Sequence, residues 1–170
     1  MKNFELKVRC RDHRSALAVL KNLDAEYSGL LKQRDVYFNL SPGRLKLRTI
    51  NNNEHQLIYY RRPDRDSAKF SNYYIVKVSH PVQLEKSLKE ILGVKVIVVK
   101  LRKLFLWQNV RIHLDTVKSL GKFIEFEIVC RTSKQEFQSS EKMKYIKKIF
   151  NINKNFILNS SYSDMMIKNI

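Results

Sequence analysis

Four carboxylates, Glu5, Asp115, Glu125 and Glu127, stand in segments where charged and apolar residues alternate, and the same segments carry cations at the same spacing. Residues two apart in a strand share a face. ELKVR, RLKLR, KLRK, RIHLD and IEFEI therefore each turn charged side chains one way and apolar ones the other. Taken by parity, the charged faces hold Glu5, Lys7 and Arg9; Arg44, Lys46 and Arg48; Arg62; Lys100 and Arg102; Arg111, His113 and Asp115; and Glu125 and Glu127. Nine cations against four carboxylates is an excess that an empty interior does not easily tolerate, and a bound polyanion would offset it. Hard dications such as Mg²⁺ or Mn²⁺ take oxygen ligands from one or two carboxylates plus substrate phosphates, so Asp115, Glu125 and Glu127 offer a metal site. The same acids also read as counter-ions of the neighbouring arginines.

The opposite parity supplies the core: Phe4, Leu6 and Val8; Leu45 and Leu47; Ile112 and Leu114; Ile124, Phe126 and Ile128. If that face packs under helices, the charged face encloses a passage. The elements follow from local signals. Phe4 to Cys10 alternates as a strand, and Asp12 is placed to cap a helix through Ala16, Val19, Leu20 and Leu23 that ends by Gly29. Val36 to Leu40 and Arg44 to Ile50 flank Ser41-Pro42-Gly43 as a hairpin, and two more strands follow, His55 to Arg62 and Phe70 to Val78, around a Pro63-Asp64 loop. Pro81 opens a helix running to Gly93. Val94 to Trp107, Val110 to Val117 and Gly121 to Cys130 resume as strands, and the remainder is helical to Phe150 and again from Tyr162 to Ile167. The pattern predicts an α+β fold: one domain over residues 1–170, built as an eight-stranded antiparallel sheet, closed or nearly closed into a β-barrel, with helices packed outside; the closed β-barrel is the form expected.

Composition bounds the partners. The chain has 170 residues, 44% hydrophobic and 29% charged, with 33 Lys and Arg against 16 Asp and Glu for a net charge of +17. Such a surface attracts polyanions, with phosphate-bearing partners first. No apolar run approaches the roughly 18 residues a membrane helix needs, and MKNFELKVRC is charged rather than signal-like, so the expected location is the cytoplasm, with no membrane partner. Cys10 and Cys130 have no metal or redox spacing and read as core residues. Tyr59, Tyr60, Tyr73 and Tyr74 read as strand packing before base-stacking groups, and His113 as a structural hydrogen-bonder before a ligand or proton carrier. A Gly-rich phosphate loop, a Ser-His-Asp set and a cysteine nucleophile motif are all missing from the sequence.

The ordered segments ELKVRCRD, LKQRDVYFN, GRLKLR, LIYYRRPD, KLRKLFL, NVRIHLD, LGKFIEFE and SYSDMM resemble the CYTH domain over nearly the whole chain. This superfamily comprises class IV adenylyl cyclases, thiamine triphosphatases and inorganic triphosphatases, the triphosphate tunnel enzymes, and the likeness is to its cyclase-like branch. The resemblance implies an eight-stranded tunnel in which Arg44, Lys46, Arg48, Arg62, Lys100, Arg102 and Arg111 grip a triphosphate, with Arg34 joining them. Lys7 and Arg9 extend that set. It also implies that Glu5, Asp115, Glu125 and Glu127 hold Mg²⁺ or Mn²⁺, the last three as the catalytic carboxylates. One departure stands out: where the family motif is Glu-x-Glu-x-Lys, this chain reads Glu5-Leu6-Lys7-Val8-Arg9, with a cation in place of a carboxylate. The implied function is metal-dependent hydrolysis of a linear triphosphate, whether inorganic, thiamine or nucleoside. The alternatives are cyclisation of ATP to cyclic AMP and pyrophosphate, and a non-catalytic module binding polyanions or the 5′-triphosphate end of RNA.

Overall fold

A computed structural model of the chain describes residues 2–61 and 69–168; Arg62 and the Pro63-Asp64 loop lie outside the described residues. The elements run β1 (Lys2–Cys10), α1 (Arg14–Asn22), β2 (Glu26–Phe38), β3 (Arg44–Ile50), β4 (Glu54–Arg61), β5 (Lys69–Lys77), α2 (Pro81–Leu92), β6 (Val94–Trp107), β7 (Val110–Val117), β8 (Gly121–Cys130) and α3 (Ser133–Ile149). A 3₁₀ turn at Lys154–Phe156, β9 (Ile157–Leu158) and α4 (Tyr162–Lys168) complete the order. The fold is α+β, a large antiparallel sheet with four helices among the described residues. None of those helices is long and apolar enough to cross a membrane.

Alternation builds the sheet as expected on β1, β7 and β8. Their apolar faces, Leu6 and Val8, Ile112 and Leu114, and Ile124, Phe126 and Ile128, are buried with Ala16 and Leu20 of α1 and Met143 and Ile146 of α3. A second layer forms where Leu84, Leu88 and Leu92 of α2 cover Val36, Phe38 and Leu47. Local details differ by small shifts. His13 rather than Asp12 is the N-cap of α1, and Asp12 Oδ1 instead accepts from the Arg14 amide at 2.9 Å. β2 begins at Glu26, much earlier than its alternating portion, and passes a register shift between Tyr27 and Gly29 where Gly29 takes φ +126°. A left-handed backbone there is open to glycine at little cost.

The expected closed eight-stranded barrel requires correction. Among the described residues the sheet has nine strands, in the order β5-β4-β3-β2-β6-β7-β8-β1-β9. β1 and β5 also pair, but only from Lys2↔Asn72 to Glu5↔Lys69. Farther along, the same edge of β1 is taken by β9, through Lys7↔Leu158 and Val8↔Ile157. One strand edge cannot serve two partners at one place, so the seam is shared between them and the sheet is not closed into a barrel along its length. The concave face is also apolar at one end, where Tyr37, Val96, Val98, Val117, Phe123, Tyr162 and Met165 pack together with α4. Only beyond this cluster does it become charged.

Phe126 is fully buried and Ile97, on the outer face of β6, is 39% exposed. Phe126→Ala should cost about 3–5 kcal/mol, and Ile97→Ala about 1 kcal/mol or less. Urea unfolding of both variants checks this, and equal losses would contradict the assigned faces.

Candidate functional site

Strand register decides which charges meet. Arg102 stands opposite Asp115 across β6 and β7, and Asp35 opposite Arg48 across β2 and β3. Across β1 and β8, Lys7 faces Glu125 and Glu5 faces Glu127. Across β7 and β8, His113 faces Glu125 and Arg111 faces Glu127. The side chains of directly opposed residues lie close enough to interact, so the ladder itself assembles this network.

Two arginine–aspartate forks anchor it. Arg102 donates from Nε to Asp115 Oδ1 at 2.7 Å and from Nη2 to Oδ2 at 2.6 Å, and reaches Glu125 Oε2 at 2.7 Å. Arg48 donates to Asp35 at 2.7 and 2.8 Å, and Lys46 Nζ adds a bond at 3.1 Å. Tyr162 of α4 donates its hydroxyl to Asp115 at 2.8 Å, and Lys7 pairs with Glu125 at 3.1 Å. Burial alone would raise the carboxyl pKa values of Asp35 and Asp115. The adjacent cations outweigh it and hold both well below the usual carboxylate range. Lys100 has no such clamp, since its nearest acid, Asp115, is 3.9 Å away. Burial, aided by the Arg102 charge and opposed by Asp115 and Asp35, pushes its pKa down to about 7.

These groups border a cavity of about 170 Å³, the share of liquid taken by roughly five or six waters. Lys7, Lys46, Arg48, Lys100, Arg102 and Arg111 line it together with Glu5, Glu125 and Glu127, and Ile58, Tyr60, Tyr73 and Ile75 form a less polar side. Asp115 lies behind Arg102, with no exposure. Three other expected phosphate ligands, Arg44, Arg9 and Arg34, are not brought to this cavity. Arg44 is bound by Asp164 of α4 at 2.8 Å, exposed Arg9 donates to the Leu120 carbonyl at 3.1 Å, and Arg34 forks onto Glu85 of α2 at 2.7 and 2.8 Å. Arg62 lies outside the described residues.

Sequence reasoning missed Asp35 and the tyrosines Tyr37 and Tyr162. Val36 and Phe38 pack under α2, so the intervening parity, Gln33, Asp35 and Tyr37, is the inward one; Arg34 is outward. The signal was present in the flanking apolar residues. With Asp35 included, six described cations meet five carboxylates, Glu5, Asp35, Asp115, Glu125 and Glu127, so the interior is far closer to neutral than a surplus of nine over four.

Residues 1–160 match the CYTH domain model. The chain belongs to the CYTH family. A Methanocaldococcus jannaschii protein described as a candidate adenylate cyclase is 25% identical over 173 residues, covering 97% of this chain and 98% of its own. Among solved structures, a Pyrococcus horikoshii protein superimposes with a TM-score of 0.84 at 22% identity, covering 95% of this CYTH chain and 98% of that one. A Hippeastrum candidate adenylyl cyclase, described as having a dominant triphosphatase activity, gives a TM-score of 0.63 at 13% identity, covering 99% and 95%. At these identities the solved structures establish the shared fold.

Asp35→Asn removes the charge that offsets both Arg48 and Lys46. The expected loss is about 3–5 kcal/mol, with much of it recovered in Asp35→Asn combined with Arg48→Met. Denaturant unfolding at neutral pH measures both, and a single variant as stable as the native protein would contradict the pairing.

Proposed function

We propose that the cavity holds a linear triphosphate and that the protein hydrolyses it with a divalent metal ion. The convergence of Lys46, Arg48, Lys100 and Arg102 from β3 and β6 on one small cavity, facing Glu5, Glu125 and Glu127 on β1 and β8, carries this reading. The cations suit phosphoryl oxygens, and the carboxylates beside them would suit a hard cation. The triphosphatase described for the Hippeastrum relative agrees with it.

Each residue has a stated part. Asp35 and Asp115 engage Nε and Nη2 of their arginines, leaving Nη1 of each five-donor fork for a guest. Held from behind, Arg48 and Arg102 stabilise charge growing on phosphoryl oxygens without reorganising. Asp115 thus serves as a positioning residue. Glu125 and Glu127, with Glu5 across the strand, would hold the ion, which would supply electrophilic pull on the phosphate. The carboxylates alone would suit Mg²⁺ or Mn²⁺, but Lys7 on Glu125 weakens that end of the site and the His113 nitrogen beside the same pair alters the donor set.

Cyclisation of ATP is the second reading. Ile58, Tyr60, Tyr73 and Ile75 offer an apolar flank for an organic group. A further consequence of the near-neutral interior is that the net charge of +17 lies mostly elsewhere. Exposed Lys134, Lys144 and Lys148 on α3 are among its carriers, and the 5′-triphosphate end of RNA is the macromolecular substrate such a surface would attract.

Purified protein incubated with tripolyphosphate, thiamine triphosphate or ATP, each with Mg²⁺ or Mn²⁺, should release phosphate. Cyclic AMP as the main product would favour the second reading, and no turnover with any of them would reject both. Glu127→Gln should lower turnover by more than about 100-fold while leaving the fold intact.

Lys100 gives the pH dependence. Its pKa near 7 in the empty cavity, against 10.5 ordinarily, leaves it largely neutral above pH 7. A bound polyphosphate favours the charged form and raises that pKa, so binding takes up a proton and affinity falls as pH rises from 7 toward 10. Calorimetry in buffers of different ionisation heat should show this uptake in the native protein and lose it in Lys100→Met. Equal uptake by both would contradict the role of Lys100.

A further inference from the structure

His113 is 3% exposed, and its Nδ1 has no hydrogen-bond partner. The atom is aimed at two carboxylates without reaching either: Glu125 Oε2 is 3.7 Å away and Glu127 Oε1 3.6 Å. Those distances exceed any hydrogen bond. The three side chains present one ligand atom each, all within 4.8 Å of one another. Beside the same carboxylate, Asn3 donates from Nδ2 to Glu127 Oε2 at 3.4 Å while its buried Oδ1 has no partner. Buried polar atoms are ordinarily satisfied, and orphans bordering a carboxylate pair point to a missing occupant.

We propose that His113, Glu125 and Glu127 form a cation site in which the imidazole nitrogen is a direct ligand, and that the site selects a borderline transition-metal dication such as Zn²⁺ or Co²⁺ over Mg²⁺. Ligand chemistry gives the first reason. Imidazole suits Zn²⁺, Co²⁺ and their neighbours, whereas Mg²⁺ keeps to oxygen. Spacing gives the second. Ligand atoms about 2.1 Å from a tetrahedral ion stand about 3.4 Å apart, and adjacent ones in an octahedron about 3.0 Å; the observed 3.6 and 3.7 Å lie nearer the tetrahedral value. The replacement at position 7 gives the third. Lys7 stands where a carboxylate would have served a hard ion and holds Glu125 Oε1 at 3.1 Å, so an ion beside His113 takes Glu125 Oε2, in exchange for the 2.7 Å bond that this oxygen accepts from Arg102, together with Glu127 Oε1. Register places His113 directly opposite Glu125.

The inference deepens the metal-dependent reading and rests on it for the use of the ion, but its test needs no turnover. Chelator-treated full-length protein is titrated with Co²⁺ alone, followed by visible absorption, then challenged with Zn²⁺ or Mg²⁺. One Co²⁺ per chain should bind with the intense absorption of a low-coordinate nitrogen-containing site. Zn²⁺ should displace it at stoichiometric levels, and a hundredfold excess of Mg²⁺ should not. His113→Gln, with folding checked by thermal unfolding, should weaken Co²⁺ binding 10- to 100-fold, and Lys7→Met should strengthen it. Equal displacement by Mg²⁺, or unchanged Co²⁺ affinity in both variants, overturns the assignment. Tripolyphosphate binding to the metal-free protein is measured in parallel. Its absence would overturn the triphosphate reading while leaving a His113-dependent metal site standing, and its presence with no effect of His113→Gln on Co²⁺ would do the reverse.

Discussion

Charges inside a sheet must be paired where they stand, because removing an ion from water without a partner costs several kcal/mol. Here the pairing is done by strand register. Arg102 faces Asp115, and Arg48 faces Asp35, each as a two-bond fork in a buried setting. Those forks fix guanidinium planes that would otherwise sample many rotamers, and Lys7, Lys46, Lys100, Glu125 and Glu127 are arranged around them. The apolar face of the same strands, held under α1, α3 and α2, keeps the register from slipping, since a one-residue shift would exchange the two faces.

The concave face is therefore divided. At one end Tyr37, Val96, Val98, Phe123 and Met165 fill the space with α4. α4 also reaches the charged part through Tyr162 on Asp115 and Asp164 on Arg44. The short terminal helix thus stabilises one fork and withdraws one cation from the cavity. Along the seam, β1 divides its free edge between β5 and β9, so the cavity is bounded by an incompletely joined sheet.

Most of this was legible where alternation is strict. β1, β3, β7 and β8 declare both faces in sequence, and all the cavity-facing charges on them share the parity read from it. β2 was harder to read. Its first half, Glu26 to Gln33, lacks period-two patterning and contains a register shift, so only its second half looks like a strand. There the charged residue adjacent to the obvious one was the inward group: Asp35, not Arg34. β9 spans two residues and carries no periodic signal; the division of the β1 edge depends on it and could not be foreseen. The diversion of Arg44, Arg9 and Arg34 to partners outside the cavity is a matter of tertiary placement that no local pattern encodes.

A structure of the protein crystallised with tripolyphosphate and Mn²⁺ tests the central claim most directly. The account requires phosphoryl density inside the cavity, within hydrogen-bond reach of Arg48 and Arg102, with the cation against Glu125 and Glu127. Phosphate bound only on the basic exterior, with both arginine forks and the cavity unchanged, would contradict it.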